Sequence, residues 1–184
     1  MKIFGSRGIK ANIENEWEIV ALGGNDKDGF VSLGNNLKTY LEVKWKCSKA
    51  KVDISKVLKS FLTSIEKKAK QRGENFSSLT NINLLEDEKG ISYKWDTGKV
   101  AAYGNIFKCN ECNRVMLVQI LSNNISLAKK ILSTLKCHSE NHHVYWNVYN
   151  FAFLSPAEWK LESYSFKSAY LKMLFTKKSE SLIM

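Results

Sequence analysis

The sequence predicts an α+β protein, mainly antiparallel sheet with two main helices packed on it. Most of the chain alternates apolar and polar residues with a period of two, which is the strand signature. Only two segments place apolar residues at i, i+3, i+4 and i+7, the helix signature. The strands also come in runs rather than alternating with helices, which favours antiparallel pairing over βαβ units.

In chain order, strands are expected first at residues 17–22 and 30–33. They are separated by turn-forming stretches, Gly23-Gly24-Asn25-Asp26 and then Gly34-Asn35-Asn36. The clearest strand pattern covers residues 37–47. Leu37, Thr39, Leu41, Val43, Trp45 and Cys47 share one face, and Lys38, Tyr40, Glu42, Lys44 and Lys46 share the other. That parity makes Cys47 an inert thiol buried beside Trp45 and Val43.

A helix follows over residues 53–72. Ile54, Val57, Leu58, Phe61, Leu62, Ile65 and Ala69 form its apolar stripe. Asp53 suits the N-cap because its carboxylate can accept the unpaired N–H groups of the first turn. Lys67, Lys68, Lys70 and Arg72 complement the C-terminal dipole, and Gly73 suits the position just past the end. Residues 73–89 are polar and read as a loop or linker, with Glu86, Asp87 and Glu88 as a solvated acidic run.

The second half reads similarly. Strands are expected at 91–95, 100–108 and 114–121, then a shorter helix capped by Ser126 with Leu127, Ala128, Ile131, Leu132 and Leu135 on one face. Further strands are expected at 144–153, 159–166 and 169–176, with Ser155-Pro156 as a turn. In the first of these, Tyr145, Tyr149, Phe151 and Phe153 share one parity, and Trp146 and Val148 the other. Such aromatics suit core packing, or stacking on single-stranded bases if exposed. Glu16-Trp17-Glu18-Ile19 and Glu158-Trp159-Lys160-Leu161 each open a run of strands. The chain therefore reads as one domain over 1–184, or as two related β-rich halves split near 74–90.

Composition sets the class. With 184 residues, 44% hydrophobic and 25% charged, the chain is an ordinary globular one that needs no staple to fold. Its longest apolar runs, such as residues 115–118, fall far short of the roughly 20 residues of a membrane-spanning helix. The N-terminal residues lack an apolar signal core, so a cytoplasmic location and no membrane insertion are expected. Net charge is +10, which suits an acidic protein partner or nucleic acid. Only Arg7, Arg72 and Arg114 are arginines, however, and arginine is the residue favoured for bidentate phosphate and base contacts. Lys38, Lys44, Lys46 and Arg114 are the candidate partner-binding residues.

The most specific feature is Phe107-Lys108-Cys109-Asn110-Glu111-Cys112-Asn113-Arg114. Cys109 and Cys112 flank a hairpin turn, the arrangement that lets two thiolates hold one ion. The remaining ligands of a zinc ion have candidates in Cys137, His138, His142 and His143, not all at once. All three histidines of the chain fall in this window. A Cys₃His or Cys₂His₂ set would be closed and structural, with Lys108 and Arg114 offsetting thiolate charge. Ordinary thiols with surface histidines are the alternative. A redox pair is a third reading, disfavoured because the motif precedes a strand rather than a helix N-terminus.

The last sixty residues run helix, aromatic strand, Pro156-Ala157-Glu158-Trp159, then two closing strands. This order resembles the Mog1/PsbP-like α+β proteins, and the resemblance implies a helix-backed sheet and a non-enzymatic, partner-binding role. No phosphate-binding loop, dinucleotide fingerprint, zinc-protease helix or nucleophile elbow occurs in the chain. The expected function is thus a non-enzymatic binding protein with a basic surface and a structural zinc. Direct nucleic-acid binding is the first alternative, and an enzyme with an unmarked pocket is the second.

Overall fold

The computed structural model describes residues 1–85, 90–139, 142–148, 151–167 and 170–184. Glu86, Asp87, Glu88, Tyr149 and Ala169, named above, lie outside the described residues. The elements are β1 (Lys2–Ser6), β2 (Ile9–Ile13), β3 (Glu18–Gly24), β4 (Asp28–Gly34), β5 (Thr39–Cys47), α1 (Ile54–Gln71), β6 (Ser77–Thr80), β7 (Ile91–Asp96), β8 (Ala101–Lys108), β9 (Arg114–Ile120), α2 (Ile125–Leu132), β10 (His143–Val148), β11 (Phe151–Pro156), β12 (Lys160–Lys167), β13 (Tyr170–Lys177) and β14 (Glu180–Ile183). The protein is α+β, with antiparallel sheets and two helices.

The central sheet has seven strands in the order β3-β4-β5-β9-β8-β7-β6. Two meanders meet edge to edge where β5 pairs with β9, with Val43 opposite Val118 and Trp45 opposite Met116. All seven residues of β9 are buried, because the two faces of this strand are covered by different layers. Val115 and Leu117 join Leu58 and Leu62 of α1 in one core, with Tyr93, Trp95, Ala102 and Ile106. Met116, Val118 and Ile120 join a larger core on the opposite face, with Ala128, Ile131 and Leu132 of α2.

Capping explains where the helices begin. The Asp53 carboxylate accepts the N–H groups of Ser55 and Lys56 at 3.1 Å each, as its position predicts. Gly73 adopts φ +67°, the left-handed conformation that ends a helix without a Cβ penalty. For α2 the cap is Asn124, whose Oδ1 accepts Leu127 N–H at 3.0 Å. The expectation of Ser126 fails because that residue already lies inside the first turn.

The second layer holds a four-stranded sheet, β11-β10-β1-β2, and a three-stranded one, β12-β13-β14. Trp146 of β10, 2% exposed, packs edge-on to Phe175 of β13 and donates its indole N–H to Ser155 Oγ at 2.9 Å. That settles its role as core. The single strand expected over 144–153 is instead two strands, with Val148 paired to Phe151, so the parity read for its aromatics does not hold.

Other expectations change for identifiable reasons. Leu37 is 90% exposed rather than in a strand, because Asn35 Oδ1 accepts the N–H groups of Leu37 and Lys38 and makes a side-chain-capped turn. The polar stretch after α1 is not a plain linker: β6 pairs with β7, and Leu84, 2% exposed, enters the larger core. The pairing of β5 with β9 carries one sheet across the seam proposed near 74–90. Trp17 is buried and stacked on Tyr40, whereas Trp159 is half-buried, so the two ends of the suspected echo have unlike surroundings. β1, β2, β6 and β14 lie outside the segments that sequence periodicity marks as strands. Among the described residues no helix is long and apolar enough to cross a membrane.

Candidate metal centre

Cys109 and Cys112 sit in the turn between β8 and β9, as the Cys-x-x-Cys spacing predicts. Cys109 N–H donates to Arg114 C=O at 2.9 Å and closes the turn. Asn113 makes the reversal at φ +55°, a left-handed conformation that asparagine tolerates better than most residues.

Cys137 and His138 reach this turn because the chain is tied down just before them. After α2, Lys136 forms an isolated antiparallel bridge with Lys10 of β2, through N···O distances of 2.8 and 3.0 Å. The β1–β2 hairpin is therefore the surface against which residues 136–138 are registered. Its two-residue loop, Arg7-Gly8, has both φ values positive, at +51° and +80°, the geometry whose twist matches paired strands. Gly8 runs beside His138 and Ser139, and its φ of +80°, strained for an L side chain, is what reserves the position for glycine.

Buried Arg114 locks the arrangement. Its guanidinium donates to Arg7 C=O at 2.9 Å, to Cys137 C=O at 3.0 Å and to Asp26 C=O at 3.1 Å. It also lies 5.9 Å from the Trp45 ring centroid. One side chain thus joins three segments far apart in sequence. Arg7, equally buried, pairs with the Asp26 carboxylate at 3.2 Å and donates to Gly24 C=O at 3.0 Å.

The result is a cluster of four potential ligand atoms, from Cys109, Cys112, Cys137 and His138, all within 4.8 Å of one another. Cys112 Sγ is 3.9 Å from Cys137 Sγ, and His138 Nδ1 is 3.5 Å from both Cys109 Sγ and Cys137 Sγ. The other imidazole nitrogen, Nε2, is 2.8 Å from Glu111 Oε2. Cys137 is buried, and the other three cluster residues are half-buried.

Electrostatics favour anionic sulfur here. The hydrogen bond from Cys137 pulls the Cys112 thiol down to about 5; the Arg114 N–H, the Cys109 thiol and the Arg114 charge add to this against burial. Cys137 moves the opposite way, because it donates to Cys112, is desolvated and faces two other sulfurs. Such a set can hold a metal ion, which would neutralise the sulfurs together.

His142 and His143 do not belong to this cluster. His142 is exposed at φ +58°, and His143 is exposed at the start of β10, opposite Pro156. Cys47 is half-buried rather than buried, 3.9 Å from the carbonyl oxygens of Asp26 and Cys112. Arg114 is 7% exposed, so it braces the cluster and does not face a partner. Lys108 donates to Ala50 C=O at 2.8 Å, so Arg114 is the one of the two expected cations that tunes the sulfurs. Lys44 and Lys46 are exposed on the α1 side of β5: Lys44 lies over Phe61 at 5.9 Å, and Lys46 pairs with Asp28 at 3.8 Å. Lys38 is exposed over Tyr40 at 4.7 Å.

Sequence reasoning missed Arg7, Gly8, Asp26 and the Lys10–Lys136 bridge. Gly8 was the one local signal available. Comparison with protein-family models, curated proteins and solved structures finds no match to this chain.

Proposed function

We propose that the protein is a non-enzymatic binding protein, held in shape by a closed Cys₃His zinc site and using its basic surface to take an acidic partner. The zinc reading rests on one observation, the spacing of the four ligand atoms. With Zn–S near 2.3 Å and Zn–N near 2.0–2.1 Å, a tetrahedral ion needs S···S edges of about 3.8 Å and S···N edges of about 3.5 Å. The cluster has one S···S edge of 3.9 Å and two S···N edges of 3.5 Å. Three sulfurs and one imidazole suit zinc and are foreign to magnesium or calcium, which take oxygen.

A set of four protein ligands leaves no position for a substrate or activated water, so the ion would be structural. It would join the β8–β9 turn to the segment after α2, two regions that also meet through the Arg114–Cys137 hydrogen bond, the Glu111–His138 pair and the Cys112–Cys137 sulfur contact. The non-enzymatic reading also accords with the partner-binding role implied by the Mog1/PsbP-like resemblance. A reducing, cytoplasmic setting fits four free cysteines.

Elemental analysis of protein purified without chelator tests this. One zinc per chain is expected in the wild type and none in Cys112→Ser, with a lower melting temperature. Metal-free protein with four freely titratable thiols would overturn the site.

A further inference from the structure

A groove of about 570 Å³ opens beside the cluster. Its walls are β2, the segment after α2, and β10 with β11. Lys10, Lys136, His138, His143 and Tyr145 line it, and no aspartate or glutamate is among its described lining residues. Lys10 and Lys136 are directly opposite one another in the antiparallel bridge, so their side chains leave the same face, and both residues are exposed. Lys10 Nζ lies 5.9 Å from the Tyr145 ring centroid. Two lysines, a tyrosine ring and the imidazole of His143 thus line one concavity. By contrast, Lys38, Lys44 and Lys46 are not among the lining residues of this groove.

We infer that this groove binds the phosphodiester backbone of single-stranded nucleic acid. The inference rests on the binding-protein reading above and names its acidic partner. A basic groove with an aromatic ring in its wall is the form that tracks a single strand, whose unpaired bases can stack on the ring. Its described lining residues include no arginine fork, no glycine-rich nest and no helix N-terminus, the devices that capture a single terminal phosphate. Paired lysines act as point charges and suit a run of phosphodiesters, and the +10 charge of the chain steers a polyanion toward them. His138 lies in both the groove and the metal cluster. The same metal that would tie residues 137 and 138 to the β8–β9 turn would therefore hold one wall of the groove in place.

The test is fluorescence anisotropy of zinc-replete full-length protein with a labelled mixed-sequence single-stranded oligonucleotide across a salt series. The double variant Lys10→Gln/Lys136→Gln should bind about tenfold more weakly at low salt, and its log–log salt slope should be shallower by about 1.4, the share of two phosphate contacts. The charge-matched double variant Lys59→Gln/Lys67→Gln, on exposed positions of α1, should stay within about threefold of wild type. Both pairs are exposed side chains, and melting temperatures close to wild type verify that folding is intact. Equal losses in the two double variants, or an unaffected groove variant, would overturn the groove while leaving a basic binding protein standing. Polyglutamate competing as well as the oligonucleotide would overturn the nucleic-acid assignment alone. Wild-type protein that binds neither polyanion at low salt would overturn the inference together with the binding-protein reading.

Discussion

Glu111 Oε2 lies 2.8 Å from Nε2 of His138, while Nδ1 of the same ring lies 3.5 Å from two cysteine sulfurs. A proton on Nε2 bonded to the carboxylate leaves Nδ1 with its lone pair facing the sulfurs. Glu111 therefore selects the tautomer and the ring orientation that a metal ligand needs. Glu111→Gln should lower zinc affinity by roughly 10–100-fold, the usual cost of losing such a partner, while keeping one site per chain. Competition titration with a chromophoric chelator measures this. An unchanged affinity would mean that the carboxylate plays no part in orienting the ring.

Removing the ion should act like removing a cross-link. Chelation of zinc-loaded protein is expected to lower the melting temperature and to raise amide exchange first at residues 109–113 and 136–139. The opposite face, built on α1, should be little affected, because its core shares no side chain with the cluster. Hydrogen exchange read by mass spectrometry resolves the two regions. Uniform loss of protection would contradict a local staple.

Arg114→Met should destabilise the protein by about 2–4 kcal/mol. The substitution keeps the packing against Trp45 but leaves the buried bonds to the Arg7 and Cys137 carbonyls, and the partly buried one to Asp26, without their donor. Denaturant unfolding gives the figure. Arg114→Lys should recover only part of the loss, since one ammonium cannot reach three carbonyls with the geometry of a planar fork.

The two capping expectations can be separated directly. Asn124→Ala should cost about 1 kcal/mol, because it frees the N–H of Leu127. Ser126→Ala should change stability by less than about 0.5 kcal/mol, as for an ordinary surface site. The reverse order, in the same unfolding assay, would return the cap to Ser126.

Gly104→Ala tests the packing beneath α1. A Cβ there would sit 2.5 Å from the Val118 carbonyl oxygen and from the Tyr93 hydroxyl. Neither neighbour can retreat easily, since Tyr93 is fully buried and its hydroxyl donates to Val118 C=O at 3.3 Å. A loss of about 1–3 kcal/mol is expected from overpacking, read as a shift in the unfolding midpoint.

How much was legible in the sequence follows the range of each interaction. Residues 53–73 predicted α1 with both ends, because stripe, cap and terminal glycine are all contacts within a few positions. The Cys-x-x-Cys hairpin turn was readable for the same reason. Residues 144–153 read as one strand in sequence because their aromatic and apolar residues carry no turn signal where β10 gives way to β11. The N-terminal hairpin escaped notice because Arg7 occupies a left-handed position usually held by asparagine or glycine.

By itself, then, the sequence determined the α+β class, both ends of α1, the parity of β5 and the pair of cysteines at a turn. It also confined the remaining candidate ligands to residues 137–143. Only the tertiary structure decided that His138, and not His142 or His143, joins Cys137 beside that turn, and that Arg114 is a brace rather than a contact surface. The physical reason is distance along the chain. His138 is placed by the Lys10–Lys136 bridge, and Arg114 is buried by the carbonyls of Arg7 and Asp26. Each of these contacts joins residues roughly a hundred positions apart, where no local periodicity or propensity carries information.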